Sequence, residues 1–362
     1  MTYPQTRTCI ERITPYVPGK PIDEVKREFG ISDVIKLASN ENPLGPSPAA
    51  CKAMANAAAN MAIYPDGACF ALKEKLAAHL GVPAGSLVIG NGSDEVIKLI
   101  AEAFLDSGDE GVYADPSFSE YPYVLRLMGA KECVIPLVDF THDLDAMADA
   151  VGDATKIVFV CNPNNPTGTI VDGPSLQAFV DKIPQDVLII LDEAYYEYVD
   201  DPSYPQTLAW ALERPNIVVL RTFSKVYGLA GLRVGYGVAN PKLAAWINRV
   251  KEPFNVNAMG QIAAIAALED QDHVQRSIEV NRQGKGYLYD EFKKLGLKYV
   301  PTQANFIYVD LARPCDAVFK GLLKQGVIIR KGDAFGQPTF IRVTIGTQEQ
   351  NQRFIGALEA VL

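Results

Sequence analysis

Arg221-Thr222-Phe223-Ser224-Lys225-Val226-Tyr227-Gly228-Leu229-Ala230-Gly231-Leu232-Arg233 continues directly from the apolar run Ile217-Val218-Val219-Leu220. A run of that kind reads as a buried strand, so the stretch sets one lysine at a strand end and closes on an arginine after a glycine-punctuated turn. Surface lysines sit among other charges. Lys225 instead has Phe223, Val226 and Leu229 nearby, and removal from water lowers an ammonium pKa and frees the amine as a nucleophile. Thr222, Ser224 and Arg233 add two hydroxyls and a guanidinium, the groups a phosphate anchor requires. Taken alone, the stretch reads more simply as a strand end with a snorkelling lysine and loop glycines.

What changes that reading lies upstream. Asn164-Asn165-Pro166-Thr167-Gly168 follows the apolar run 157–161, and Leu191-Asp192-Glu193-Ala194-Tyr195 closes the run 187–191. Three successive strand ends thus deliver an amide, a carboxylate with a phenol, and a lysine with an arginine. Strand and helix patterns alternate from 87 to 239, which predicts a mostly parallel sheet covered on both faces with ligands beyond the carboxyl ends of its strands. Asn165, Asp192, Tyr195 and Lys225 then share one rim.

The same rim receives two further segments. Leu87-Val88-Ile89 reads as a strand, Gly90-Asn91-Gly92-Ser93-Asp94 as a turn, and 95–105 as an amphipathic helix. Backbone N–H groups at such a helix start carry partial positive charge and can cradle a phosphate, which makes Gly92, Ser93 and Asp94 candidates. Ser93 or Asp94 as a plain N-cap explains the residues equally well. Phe118, just past the strand at 112–114, can stack on a flat ring or pack into the core.

Composition narrows the function class. The 362 residues suffice for one large and one small domain, and the formal net charge of -9 argues against a general nucleic-acid or membrane-surface role. No run approaches the ~18 apolar residues of a membrane span, and the amino terminus lacks an apolar signal core. The six cysteines at 9, 51, 69, 133, 161 and 315 have no C-x-x-C spacing and read as reduced thiols. A cytoplasmic protein is expected. The adjacent Asp192 and Glu193 could form a metal site or an acid/base dyad, but the three histidines at 79, 142 and 273 lie away from these motifs, so no metal is expected.

Asn-Pro-Thr-Gly (165–168), Asp-Glu-Ala-Tyr (192–195), Ser-Lys (224–225) with Arg233 eight residues on, and Arg-Val-Thr-Ile-Gly (342–346) resemble, in order and spacing, the fold-type I aminotransferases that use pyridoxal phosphate. The resemblance covers nearly the whole chain. Pro15-Tyr16-Val17-Pro18-Gly19-Lys20 and Ser39-Asn40-Glu41-Asn42-Pro43-Leu44-Gly45 are similar to the histidinol-phosphate aminotransferase branch. This implies an α/β fold: a large cofactor-binding domain (46–265) with a mostly parallel sheet flanked by helices, and a small α+β domain made of an N-terminal arm (1–45) and residues 266–362.

The resemblance also implies roles. Lys225 would carry the cofactor covalently and move a proton, Asp192 would face its pyridine nitrogen, and Asn165 and Tyr195 would bond its ring oxygen. Phe118 would stack on the ring. Gly92, Ser93, Asp94, Thr222, Ser224 and Arg233 would hold its phosphate, joined by Tyr64 from the second subunit of a homodimer. Tyr16, Asn40, Asn42, Arg330 and Arg342 would bind substrate, with Arg342 on the α-carboxylate and Arg330 on the substrate phosphate. The implied reaction exchanges an amino group between a phosphorylated amine, histidinol phosphate, and 2-oxoglutarate, giving imidazole acetol phosphate and glutamate. An aromatic amino acid aminotransferase, a phosphothreonine decarboxylase and a non-catalytic cofactor-binding module stand as alternatives. A dinucleotide-binding Rossmann enzyme would need a third glycine where Glu95 stands.

Overall fold

A computed structural model describes residues 3–15 and 18–362 of the chain. Its centre is a seven-stranded sheet built from β1 (Leu87–Gly90), β2 (Glu110–Asp115), β3 (Lys131–Pro136), β4 (Thr155–Cys161), β5 (Leu188–Asp192), β6 (Ile217–Thr222) and β7 (Gly235–Ala239), in the order β1-β7-β6-β5-β4-β2-β3. Five neighbours, β3, β2, β4, β5 and β6, run parallel. β7 is antiparallel to both β6 and β1. The expected mostly parallel α/β sheet is therefore present, with one reversed strand.

Strand periodicity explains how one sheet serves two cores. Side chains alternate between faces every residue, so Val158, Val160, Ile189, Leu191, Ile217 and Val219 enter one hydrophobic cluster. Ile157, Phe159, Leu188, Ile190, Val218 and Leu220 enter the other. Strands buried on both faces must be apolar at every position, which is why these runs carry no polar alternation.

A second, four-stranded antiparallel sheet joins β8 (Lys298–Val300), β9 (Phe306–Asp310), β10 (Arg330–Lys331) and β11 (Phe340–Thr344) in the order β10-β11-β9-β8. The arm docks on this unit: Ile35–Lys36 pairs in parallel with Val327–Ile328, and Val25 and Ala38 pack with Leu323 and Ile328. The 24-residue helix Gln271–Lys294 links the cores, with Val274 in the large cluster and Leu288 and Phe292 in the small one. Among the described residues no helix is long and apolar enough to cross a membrane.

Candidate active site

Four strand ends and one strand start meet on one rim. β1 closes at Gly90, β4 at Cys161, β5 at Asp192 and β6 at Thr222, while β7, running the other way, opens there at Gly235. Cys161 is paired with Asp192, and Thr222 and Gly90 are both paired with Gly235. Over this rim lies a cavity of about 740 Å³ lined by Ser93, Asp94, Phe118, Asn165, Asp192, Tyr195, Thr222, Ser224, Lys225 and Arg233, and from the small unit and arm by Asn40, Arg330 and Arg342.

Lys225 is half-buried and its Nζ donates to the Ser39 carbonyl at 3.3 Å. Burial, reinforced by the positive charge of Arg342, lowers its pKa to about 8. Asp192 is 2 % exposed. Its Oδ2 accepts from the Tyr121 hydroxyl at 2.9 Å and its Oδ1 from the Ala194 N–H at 3.2 Å. No ammonium or guanidinium among the described residues pairs with it, and burial pushes its pKa up to about 6. A buried carboxyl without a counter-charge, facing a cavity, is the feature most suited to a cationic ring nitrogen.

Tyr195 is buried, accepts from Asn40 Nδ2 at 2.9 Å, and lies with its ring centroid 5.7 Å from Lys225 Nζ. Arg342 Nη2 donates to the Ala38 carbonyl at 2.9 Å, and its Nη1 donates to Asn165 Oδ1. Arg330 stands directly opposite Arg342 on the neighbouring strand, so two guanidinium-bearing positions face the same space.

At the other end, the helix Ser93–Phe104 starts from Gly92 with no side-chain cap. The capping reading is thereby set aside: its first N–H groups face the rim without a side-chain acceptor. Arg233 Nη2 donates to Asp94 Oδ2 at 2.9 Å, so the Asp94 carboxylate sits on the arginine, and what Asp94 offers an anion is its backbone. Gly92 has φ +87, and a Cβ there would come within 2.5 Å of Arg233 Nη2. Ser224 N–H donates to the Thr222 hydroxyl at 3.1 Å, which fixes that turn.

Two expected residues lie elsewhere. Asn42 is absent from the cavity lining; its amide donates to the Val226 carbonyl at 2.7 Å and Ser277 Oγ at 2.8 Å, and its Oδ1 accepts from the Leu44 N–H. With every side-chain polar atom engaged it is a strut between arm and helix, a correction to its expected substrate contact. Tyr64 is 79 % exposed and stacks on Phe254 outside this cavity. Tyr16 falls outside the described residues.

Residues 32–358 match the family described as aminotransferase class I and II. The chain belongs to that family. It is 57 % identical over 362 residues to a histidinol-phosphate aminotransferase of Moorella thermoacetica, covering 100 % of this chain and 94 % of the relative. A histidinol-phosphate aminotransferase of Brevibacillus brevis is 52 % identical, covering 96 % of this chain and 95 % of the relative. The crystal structure of histidinol-phosphate aminotransferase from Sinorhizobium meliloti in complex with pyridoxal-5'-phosphate superposes with a TM-score of 0.92 at 27 % identity, over 99 % of this chain and 98 % of that one.

Sequence reasoning on this aminotransferase missed two groups. Tyr121 lies three residues after Phe118 at a helix start, a spacing that brings both to the same side. Arg221 and Glu193 form a buried ion pair, with Arg221 Nε and Nη2 donating to Glu193 Oε2 at 2.9 and 2.8 Å over the Tyr196 ring. Alternation along β5 carries Glu193 away from the cavity that Asp192 lines. The adjacent carboxyls therefore do not form a dyad. Among the described residues no three His, Cys, Asp or Glu side chains gather to hold a metal ion.

Proposed function

We propose that the chain is a pyridoxal-phosphate-dependent histidinol-phosphate aminotransferase, exchanging an amino group between histidinol phosphate and 2-oxoglutarate. The observation that carries the site assignment is the uncompensated Asp192 carboxyl sharing one cavity with the softened Lys225 amine. The residues fit the cofactor. Asp192 would pair with its ring nitrogen, Phe118 would lie against its ring, and Asn165 and Tyr195 would take its ring oxygen. The N–H groups at Ser93 and Asp94, with Ser224, Thr222 and Arg233, would hold its phosphate. Bound there, pyridoxal phosphate supplies an electron sink that stabilises negative charge at the substrate α-carbon.

The protein's own groups do the rest. Lys225, with a pKa near working pH, is suited both to bond the cofactor and to take and return a proton at the substrate α-carbon. Arg342 would grip the α-carboxylate of glutamate and hold Asn165 at the same time. Arg330 would meet the phosphate of the phosphorylated amine, so one pocket accepts two differently shaped anions. The exposed Met61, Ile63, Tyr64, Phe70 and Phe254 support a homodimer, with a second copy covering them.

Turnover of histidinol phosphate, phenylalanine and O-phosphothreonine, each offered with 2-oxoglutarate, tests the substrate. Preferred transamination of histidinol phosphate is expected. Preference for phenylalanine, or carbon dioxide release from O-phosphothreonine, would assign the site to another activity on this scaffold.

A further inference from the structure

Tyr121 is fully buried at the start of the helix Glu120–Met128. Its ring is stacked on Phe159 at 4.6 Å and 13° and meets Phe118 edge-on at 5.7 Å and 85°. Two aromatic contacts from two elements fix the ring, and the fixed ring delivers its hydroxyl to Asp192 Oδ2 at 2.9 Å. A core tyrosine needs a partner for its O–H, but a backbone carbonyl would serve; this one is given to the carboxyl that lines the cavity.

The other groups near Asp192 give it no help as an anion. Asp94 comes from the Ser93 helix, Glu193 from its own strand, Cys161 from β4 and Tyr195 from the loop beyond β5, and none is a cation. The Ala194 N–H is the remaining donor, at the longer 3.2 Å. The Tyr121 hydroxyl is thus the one side-chain donor on Asp192 among the described residues, and burial holds the phenol well above its ordinary pKa, so it keeps its proton.

We propose that Tyr121 is a positioning residue for the reaction: its clamped hydroxyl keeps Asp192 ionised and fixes the carboxylate plane toward the cofactor's ring nitrogen. The proposal rests on the reading of Asp192 given above. A donor on the charged form of a carboxyl favours that form. Losing the donor should leave Asp192 holding its proton to higher pH, and a protonated Asp192 cannot keep a ring nitrogen cationic.

The test uses the apo full-length chain and its Tyr121→Phe and Phe159→Leu variants. Carbon-13 NMR titration of the aspartate carboxyls, with the Asp192 signal assigned by its loss in Asp192→Asn, reads the contact directly. Tyr121→Phe keeps both aromatic contacts and removes only the hydroxyl; it should move the Asp192 midpoint up by about one unit. Phe159→Leu keeps the hydroxyl but loosens the stack that holds it, and should move the midpoint up by a smaller amount. In the loaded enzyme Tyr121→Phe should lower kcat about tenfold with little change in KM, the split expected for a group acting after binding. An unchanged midpoint in Tyr121→Phe, or a shift in Phe159→Leu larger than that in Tyr121→Phe, would overturn the proposal. The carboxyl titration needs no cofactor, so failure of the cofactor assignment would show separately, as a Tyr121 effect on Asp192 in a protein that binds no pyridoxal phosphate.

Discussion

Lys225 and Asp192 are displaced from their ordinary ranges by the same cause, burial of a charge that water would otherwise solvate. For Asp192 the folded-state value, about 6, lies above the ordinary 3.8. Its contribution to stability is therefore complete below pH 3.8 and is lost as pH rises through about 6, because only the unfolded chain ionises in between. Replacing it by asparagine should stabilise the apo-protein at pH 7 by roughly 3 kcal/mol, two units at 1.36 kcal/mol each, with the gain shrinking toward pH 4. Urea unfolding at both pH values checks this. Arg330→Ala should raise KM for the phosphorylated amine by roughly 10- to 100-fold, the worth of a charge-assisted hydrogen bond, and change that for glutamate far less. Steady-state kinetics with each amine give the two values, and equal effects would remove the assigned role. Most rim residues were legible in the sequence because each follows a recognisable apolar run. Asn42 was misread because a sequence does not say whether an amide faces a cavity or braces two segments.

Between elements, a very tight contact at the site is where β7 begins. A Cβ on Gly235 would lie 2.2 Å from Ser93 N and 2.6 Å from Gly92 C, backbone atoms with no rotamer through which to retreat. Gly235→Ala should cost about 1–3 kcal/mol of stability and weaken cofactor retention, because the helix start must move. At Gly231 a Cβ would meet nothing within 4 Å, so Gly231→Ala should melt near the parent temperature. Thermal melts and cofactor titrations of both variants make the comparison. The buried strands β4, β5 and β6 were readable as continuous apolar runs. Edge strand β3, Lys131–Pro136, was not, since it is only partly covered and carries Lys131 and Glu132. Strand β7 begins only at Gly235, because residues 230–232 form a tight turn and Arg233 takes a left-handed backbone to reach Asp94.

For the whole molecule, the arm and the small unit close the pocket together. Ser39 and Asn40 reach Lys225 and Tyr195 from a segment that pairs with Val327–Ile328. Sequence patterns mark the arm as poor in helix and rich in proline, but its host surface is set by tertiary packing that no local pattern encodes. Tyr64 belongs to this scale as well. If a second copy covers the Tyr64–Phe254 stack, sedimentation of the parent should give a dimer, and Tyr64→Ala should weaken both association and cofactor retention. A monomer with full cofactor affinity would exclude that role. The central claim is that Lys225 bonds the cofactor, and the most direct measurement is borohydride reduction of the pyridoxal-phosphate-loaded protein followed by peptide mass mapping. The added pyridoxyl phosphate mass is predicted on the peptide containing Lys225; its appearance on a different lysine, or nowhere, would contradict the account.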